Sequence, residues 1–190
     1  MKGDAMGRKL DYGNLRTEYP NLGVCAARKR LFLCSLLQDD YGEDYDCTLT
    51  SLACVFGEQY YGDIERIAKK YGYDGAKRGT NPLTVKQITT EFMREKQMSG
   101  VARSAYGKSI GWSYRMVKRL IDNGIPVLLN LFDDGRGYYH DHTVTIIGYE
   151  QYQRGLFLLI YDNWHHGVTM IDYKKLCMIS SINWVDDMQK

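Results

Sequence analysis

The hydrophobic pattern of this chain changes its period at one point, and that change limits the folds open to it. Up to about residue 124 the longer apolar patterns repeat every three to four residues, as in amphipathic helices. From Pro126 onwards they follow the period of strands. Helices first and strands second indicate an α+β fold, with N-terminal helices packed on a C-terminal antiparallel sheet, and not a doubly wound α/β fold.

Helix signals in the first part of the chain predict four helices. Asp46 stands where the N-cap of the first should be, Gly72 would end the second, and Ser113 is the expected N-cap of the fourth. The predicted helices cover residues 47–57, 62–72, 84–96 and 109–124. The first of them places Cys47 directly after the N-cap.

Strand signals predict the remainder of the domain. The predicted strands cover residues 126–132, 142–150, 156–164 and 167–173. Residues 26–38 could form a short helix or a strand, because their periodicity does not decide between the two. Residues 1–22 are polar and read as an extended or loosely attached arm, and residues 23–190 as a single domain.

Charge and hydropathy exclude several classes of partner. The formal net charge is +2 and the charged residues are interspersed, so no field would hold a phosphate backbone, and nucleic acid is not an expected partner. No apolar run is long enough for a signal peptide or a membrane segment. The sequence as given predicts a cytoplasmic protein, or an exported or cell-surface one if a leader was removed; it does not predict an oligomeric state.

Cysteine usage gives the first chemical clue. The chain has five cysteines, so at least one thiol is free in a monomer, and none of them forms a CxxC pair. At a helix N-terminus the positive end of the macrodipole favours the thiolate of Cys47. The simpler alternative for Cys47 is an ordinary buried cysteine.

A histidine and an acid follow at the edges of two predicted strands. His142 opens a strand and could face a cleft, although it could also be an exposed loop-end residue, as is expected of His140. Asp162 closes the next strand, and an antiparallel hairpin would return it to His142. Its carboxylate could accept the Nδ1 proton of His142, with Asn163 as the alternative orienting residue. Asp162 could instead only initiate a turn.

An oxyanion hole would complete such a site. The backbone N–H of Cys47 at the helix start is one expected donor. Gln38 is the only glutamine that precedes Cys47, and its side-chain amide is the predicted second donor. The order of cysteine, histidine and acid, on a helix start, a strand start and a strand end, favours nucleophilic catalysis by a thiol.

Several segments resemble one known family. DCTLTSLACVF resembles the nucleophile helix of the papain-like cysteine peptidases that are grouped with the double-glycine leader peptidases of bacterial bacteriocin export. The stand-alone branch of that family has segments similar to KRGTNP, NGIPVLLNL, YYHDHTVTIIGYE and LIYDNW. The resemblance covers about residues 40–175.

The resemblance implies a papain-like fold and thiol-dependent hydrolysis of a peptide or amide bond through a thioester. Cys47, His142 and Asp162 match the functional positions, Asn163 would supply the amide that papain uses, and no cofactor or metal is implied. Transfer of the acyl group to an amine is the closest variant. The chain departs from the pattern at Thr48, where transporter-linked members often have glycine, and at Gln38, which lies farther upstream.

A second hypothesis is a catalytically inactive domain of the same fold that binds a peptide or a cell-wall fragment. Its cleft would be flanked by tyrosines such as Tyr138, Tyr139 and Tyr161, which could equally be packing residues. The loops at residues 72–83 and 98–112 are where specificity is expected to lie.

A third hypothesis is a zinc site. His140 and His142 form an HxH pair that a strand would place on one face, and His165 and His166 are adjacent in sequence. A fourth ligand of defined spacing is missing from the pattern, and the catalytic role of His142 competes with metal binding.

Overall fold

The computed structural model describes residues 8–41 and 45–188, and a seven-stranded antiparallel sheet is its largest element. The strands are β1 (Cys25–Arg30), β2 (Val101–Tyr106), β3 (Val127–Asp133), β4 (His140–Tyr152), β5 (Leu156–Tyr161), β6 (Thr169–Asp172) and β7 (Ser180–Asp186). Their order is β2-β7-β3-β4-β5-β6, and β1 pairs with the second half of β4. The α+β class and the antiparallel sheet are therefore confirmed.

Five α-helices accompany this sheet in the described ranges. They are α1 (Leu15–Glu18), α2 (Cys47–Phe56), α3 (Tyr61–Lys70), α4 (Val85–Glu95) and α5 (Tyr114–Asp122), with short 3₁₀ helices at Gln38–Asp40 and Glu58–Tyr60. The four predicted helices correspond to α2–α5. The Ser113 hydroxyl accepts the N–H of Met116 at 3.3 Å, so this N-cap is confirmed.

Alternating side chains of the sheet build two separate cores. On one face Leu128 and Leu159 pack with the apolar sides of α2, α3 and α4. On the other face Leu129 and Ile160 pack against α5. This alternation fixes which side chains of β4 meet the start of α2, because a shift of one residue would turn each of them to the other face.

Strand pairing brings the two predicted strand edges together. Leu131 of β3 lies opposite His142 of β4, and Thr145 of β4 lies opposite Tyr161, the last residue of β5. Asp162 follows at once, so the hairpin returns it toward the start of β4. The predicted proximity of His142 and Asp162 thus results from strand register.

The separation of helices from strands is less complete than the sequence predicts. β1 precedes the main helices. Residues 26–38, which could have been helix or strand, begin in this strand and continue as mostly irregular chain. In the chain, β2 lies between α4 and α5, and β7 is the last strand; in the sheet, β7 pairs with β2 on one side and β3 on the other, and neither strand was predicted. β2 is an edge strand whose residues are mostly exposed, so it lacks a clear alternating pattern.

The predicted N-terminal arm is packed over the residues that are described. Leu10, Leu15 and Leu22 are buried in the core with α2–α4, and the Tyr19 hydroxyl donates to Asp172 at 2.9 Å. Loose attachment is therefore wrong for residues 8–22, whereas residues 1–7 lie outside the described part. The boundary between arm and domain stays a prediction. None of the described helices is long and apolar enough to cross a membrane.

Candidate active site

The site begins at the start of α2, where Cys47 is the first helical residue and is partly exposed. Asp46 occupies the N-cap position, but its carboxylate caps no backbone N–H. It accepts Gln38 Nε2 at 2.8 Å, Thr50 Oγ1 at 2.9 Å and the Tyr61 hydroxyl at 2.6 Å instead. Burial raises the pKa of the Asp46 carboxyl above its usual value, against these hydrogen bonds, which lower it. Asp46 therefore links the start of α2 to Gln38 and Tyr61.

Cys47 and His142 form a coupled pair. Burial opposes a charge on either group, but the hydrogen bond between their side chains and their mutual attraction outweigh it. The pKa of the Cys47 thiol is consequently lowered, and the pKa of His142 is raised. A hydrogen bond from the backbone of Thr143 also lowers the pKa of Cys47. This arrangement favours a thiolate beside an imidazolium.

His142 is oriented by a backbone oxygen. Its Nε2 lies 2.7 Å from the carbonyl oxygen of Asp162, and because a carbonyl only accepts, Nε2 carries the proton. Nδ1 is then left for Cys47. Trp164 stacks on the imidazole with ring centroids 4.2 Å apart, and Tyr139 stacks at 5.8 Å. The ring is thus held on its faces and at one nitrogen.

The sequence predicts a contact between the Asp162 carboxylate and Nδ1 of His142, but in the structure the carbonyl of Asp162 contacts Nε2 instead. The carboxylate points the other way: Oδ2 accepts the Tyr139 hydroxyl at 2.8 Å and lies 2.9 Å from Nδ1 of His165. Oδ1 accepts the backbone N–H groups of Trp164 and His165 at 3.0 and 2.9 Å. Asp162 therefore also makes the turn that the sequence left as an alternative, and the turn aims its carbonyl at His142.

Asn163 makes its contacts with α2 and β4 and not with His142. Its Nδ2 lies 3.1 Å from the Cys47 carbonyl oxygen, 2.8 Å from Ser51 Oγ and 3.1 Å from the Thr143 carbonyl oxygen. Its φ of +61° is in the left-handed region, which asparagine adopts more readily than most residues. Asn163 therefore connects α2 to β4, whereas the sequence analysis considered it as a residue that orients His142.

Gln38 lines the same cleft as Cys47 in spite of its spacing. Its backbone N–H donates to the carbonyl of Asn163 at 3.0 Å, and its side chain is buried against Asp46 at the cleft wall. A 3₁₀ helix, Gln38–Asp40, begins at this residue. The structure therefore brings all the predicted site residues into one region.

Comparison with known families gives a match over most of the chain. A model of the Peptidase_C39-like family matches residues 36–186. The chain belongs to the Peptidase_C39-like family. The predicted kinship with this group of peptidases is thereby confirmed, and the family supports a peptidase, a hydrolase, as the function. No curated protein matches the chain.

In this member of the Peptidase_C39-like family, the candidate site opens into a cleft of about 1200 Å³. Cys47, His142 and Thr143 lie in its wall, and the loops at 72–83 and 98–112 contribute to its sides, as expected of specificity loops. Much of the exposed apolar surface of the described residues gathers here, namely Tyr45, Leu83, Tyr106, Ile110, Phe132, Met178 and Ile179.

The tyrosines that the sequence placed at the cleft are not part of its lining. Tyr139 and Tyr161 are buried, the first against His142 and the second with its hydroxyl donating to the Leu33 carbonyl at 3.2 Å. Tyr138 packs edge-on against Tyr139. The cleft tyrosines are instead Tyr45, Tyr71 and Tyr106.

The histidine pairs are arranged unfavourably for zinc. His140 is exposed and lies 3.5 Å from Asp133, whereas His142 is buried in the pair with the thiol, and His165 contacts Asp162. Within residues 8–41 and 45–188 no three His, Cys, Asp or Glu side chains are grouped closely enough to hold a metal ion. The geometry gives the zinc hypothesis no support.

Sequence reasoning missed the residues that surround the pair. Thr143 and Asn130 are polar residues inside apolar strands, and both are buried at the cleft wall. Polar residues in otherwise apolar strands are the signal that could have identified them, because burying such groups is costly unless they are hydrogen-bonded. Trp164 follows Asp162 by two residues and had no signal of its own.

Proposed function

We propose that this chain is a cysteine peptidase in which Cys47 is the nucleophile, His142 the general acid and base, and Asp162 the orienting residue. The observation that carries the proposal is the Cys47–His142 pair, with the pKa of each group displaced toward its charged form inside a cleft. The family supports a peptidase, and the site supplies the thiol and the imidazole that a cysteine peptidase requires.

The resting site holds a thiolate and an imidazolium. The thiolate attacks the carbonyl carbon of the scissile bond, and the C=O electron pair moves onto the oxygen. When the tetrahedral species collapses, the C–N bond breaks and His142 gives its Nδ1 proton to the leaving amine. A water then loses a proton to His142 and attacks the thioester. The second tetrahedral species collapses, the C–S bond breaks and the acid leaves, which restores the thiolate–imidazolium pair.

The oxyanion would form beside the start of α2. The backbone N–H of Cys47 is one donor, because N–H groups in the first turn of a helix have no acceptor within the helix. Gln38 would be the second: one proton of its Nε2 is bound by Asp46, and the other is available at the cleft wall. Asp46 would thus position the Gln38 amide to donate to the oxyanion.

Asp162 acts through its main chain in this proposal. Its carbonyl fixes His142 with the proton on Nε2, which leaves Nδ1 for the sulfur, and the stacked Trp164 covers the imidazole. The positive charge that His142 carries at rest is favoured by the carbonyl dipole and by the negative charges around it.

A papain-like fold and membership of the stand-alone branch belong to the same proposal. A helix that starts with the nucleophile and packs against an antiparallel sheet that bears the histidine supports the first. The sequence segments that resemble the stand-alone branch support the second. The substrate would be a peptide, whose backbone could extend along the cleft past both loops.

Alkylation across pH is the direct test. The purified protein is treated with a limiting amount of iodoacetamide between about pH 4 and 10, and each labelled cysteine is located by peptide mapping. Cys47 should react fastest near neutral pH, with a midpoint well below that of an ordinary thiol. Cys54 is the internal comparison, because burial raises its pKa to about 12.

Two histidine variants complete the test. His142→Ala should raise the midpoint of Cys47 to that of an ordinary or buried thiol and abolish cleavage of peptides. His140→Ala, an exposed histidine two residues away, should change neither. If Cys47 of the unmodified protein reacts no faster than Cys25 or Cys177, the peptidase proposal is wrong, and a binding role for the cleft becomes the better explanation.

A further inference from the structure

We propose that the hydroxyl of Thr143 donates a hydrogen bond to the Cys47 thiolate, and that Asn130 is the positioning residue that aims this hydroxyl. The inference rests on the proposed function, since it concerns the same nucleophile. It adds a donor to the catalytic site and a buried support that reaches across the sheet.

Contacts of the Thr143 hydroxyl carry the first step. Asn130 Nδ2 donates to Thr143 Oγ1 at 2.7 Å, and Thr48 Oγ1 lies 2.8 Å from the same oxygen. All three residues are buried. Because Asn130 can only donate through Nδ2, the single proton of the Thr143 hydroxyl must point elsewhere, toward Thr48 or toward Cys47, which lies in the same cleft wall as Thr143.

The orientation of Asn130 is set by its other side-chain atom. Its Oδ1 accepts Asn183 Nδ2 at 2.8 Å and the Ser181 hydroxyl at 3.2 Å. Asn183 Oδ1 in turn accepts the Ser104 hydroxyl at 2.5 Å. A flipped Asn130 amide would face donors with its own NH₂ group, so Nδ2 stays directed at Thr143.

Ionisation of the sulfur selects between the two directions of the Thr143 proton. A thiolate is a charged acceptor and Thr48 Oγ1 a neutral one, and hydrogen bonds to charged acceptors are the stronger. The Thr48 hydroxyl can then rotate and donate to Thr143 in exchange. Two donors, Asn130 and Thr48, would thus occupy Thr143 Oγ1 and leave its proton to the sulfur.

The network crosses four strands and ends at the nucleophile. It runs from Ser104 on β2 through Asn183 on β7 and Asn130 on β3 to Thr143 on β4. Packing alone would not require it, because apolar residues of the same volume would fill these positions without leaving polar groups to satisfy. Its polarity is explained if its last hydroxyl serves the thiolate.

The test compares the unmodified protein with four variants by the pH dependence of Cys47 alkylation. Thr143→Val keeps the shape of the side chain and removes the hydroxyl, and it should raise the midpoint by about one pH unit. Thr143→Ser keeps the hydroxyl and should restore the midpoint of the unmodified protein. Asn130→Leu should raise the midpoint by a smaller amount, because the hydroxyl remains but is no longer aimed.

Thr145→Val is the matched control. Thr145 is buried two residues along β4, and its hydroxyl donates to the Ser51 carbonyl of the same helix at 3.4 Å. This variant should leave the midpoint unchanged. Thermal unfolding of each variant confirms that it is folded at the temperature of the assay.

Each outcome decides something. A midpoint in Thr143→Val equal to that of the unmodified protein overturns this inference and leaves the proposed function in place. Equal shifts in Thr143→Val and Thr145→Val also overturn it, because they indicate a general effect of packing. A Cys47 that already has an ordinary midpoint in the unmodified protein overturns both proposals together.

Discussion

Asn163 allows a quantitative test of how the nucleophile helix is joined to the sheet. Its two amide protons are shared among three acceptors, the carbonyls of Cys47 and Thr143 and the hydroxyl of Ser51. The two protons make the equivalent of two hydrogen bonds, and each contributes about 1 kcal/mol net, or about 2 kcal/mol together. A left-handed φ of +61° adds about 1 kcal/mol of strain for alanine that glycine does not have. Asn163→Ala should therefore cost about 3 kcal/mol and Asn163→Gly about 2 kcal/mol.

Urea unfolding at neutral pH measures both variants. The transition midpoint should fall in each, with the slope unchanged, and further in Asn163→Ala than in Asn163→Gly. Alkylation of Cys47 at neutral pH should slow in both, because the carbonyl that positions the helix start is released. Equal losses in the two variants would refute the backbone part of the reasoning. A loss below about 0.5 kcal/mol in both would refute the hydrogen-bond part.

Three further predictions concern the surroundings of the pair. Gln38→Ala should lower kcat on a peptide substrate about 10²-fold, while the pH midpoint of thiol alkylation stays unchanged, as expected of an oxyanion donor. Burial raises the pKa of Asp46 in the folded protein. The stability that its protonation contributes is therefore fully present below the unfolded pKa, about pH 4, and is lost as pH rises through the folded pKa. The thermal stability of Asp46→Asn should lack this dependence on pH. Trp164→Ala removes a ring stacked 4.2 Å from His142 and should slow alkylation several-fold at neutral pH, whereas Trp184→Ala, on β7, should not.

Much of the fold follows from periodicity. The helices at 47–56, 61–70, 85–95 and 114–122 each have an apolar side facing a core, and β3–β5 are buried on both faces, so their sequence patterns are strong. β2 and β7 were missed, because β2 is a partly exposed edge and β7 carries polar residues such as Asn183 that pair inside the sheet. Propensity cannot anticipate a polar residue whose partner lies on a distant strand.

The candidate site could be located from sequence, but its hydrogen bonds could not. Strand register brings His142 and Asp162 together, and this follows from the hairpin. Which oxygen of Asp162 contacts the imidazole depends on the turn after β5, where the carboxylate binds two backbone N–H groups and turns away. The position of Gln38 depends equally on local chain geometry, since its separation from Cys47 in sequence does not reveal the 3₁₀ turn between them.

Each of the two residues after β5 contacts one member of the proposed catalytic pair. The carbonyl of Asp162 accepts a hydrogen bond from Nε2 of His142, and the amide of Asn163 donates to the carbonyl of Cys47. One turn therefore contacts the proposed base and the proposed nucleophile on separate elements. Because the Asp162 carboxylate shapes that turn, a change in its charge would move both contacts together. The acid at this position therefore acts on both groups through the shape of the turn, in addition to the charge by which it raises the pKa of His142.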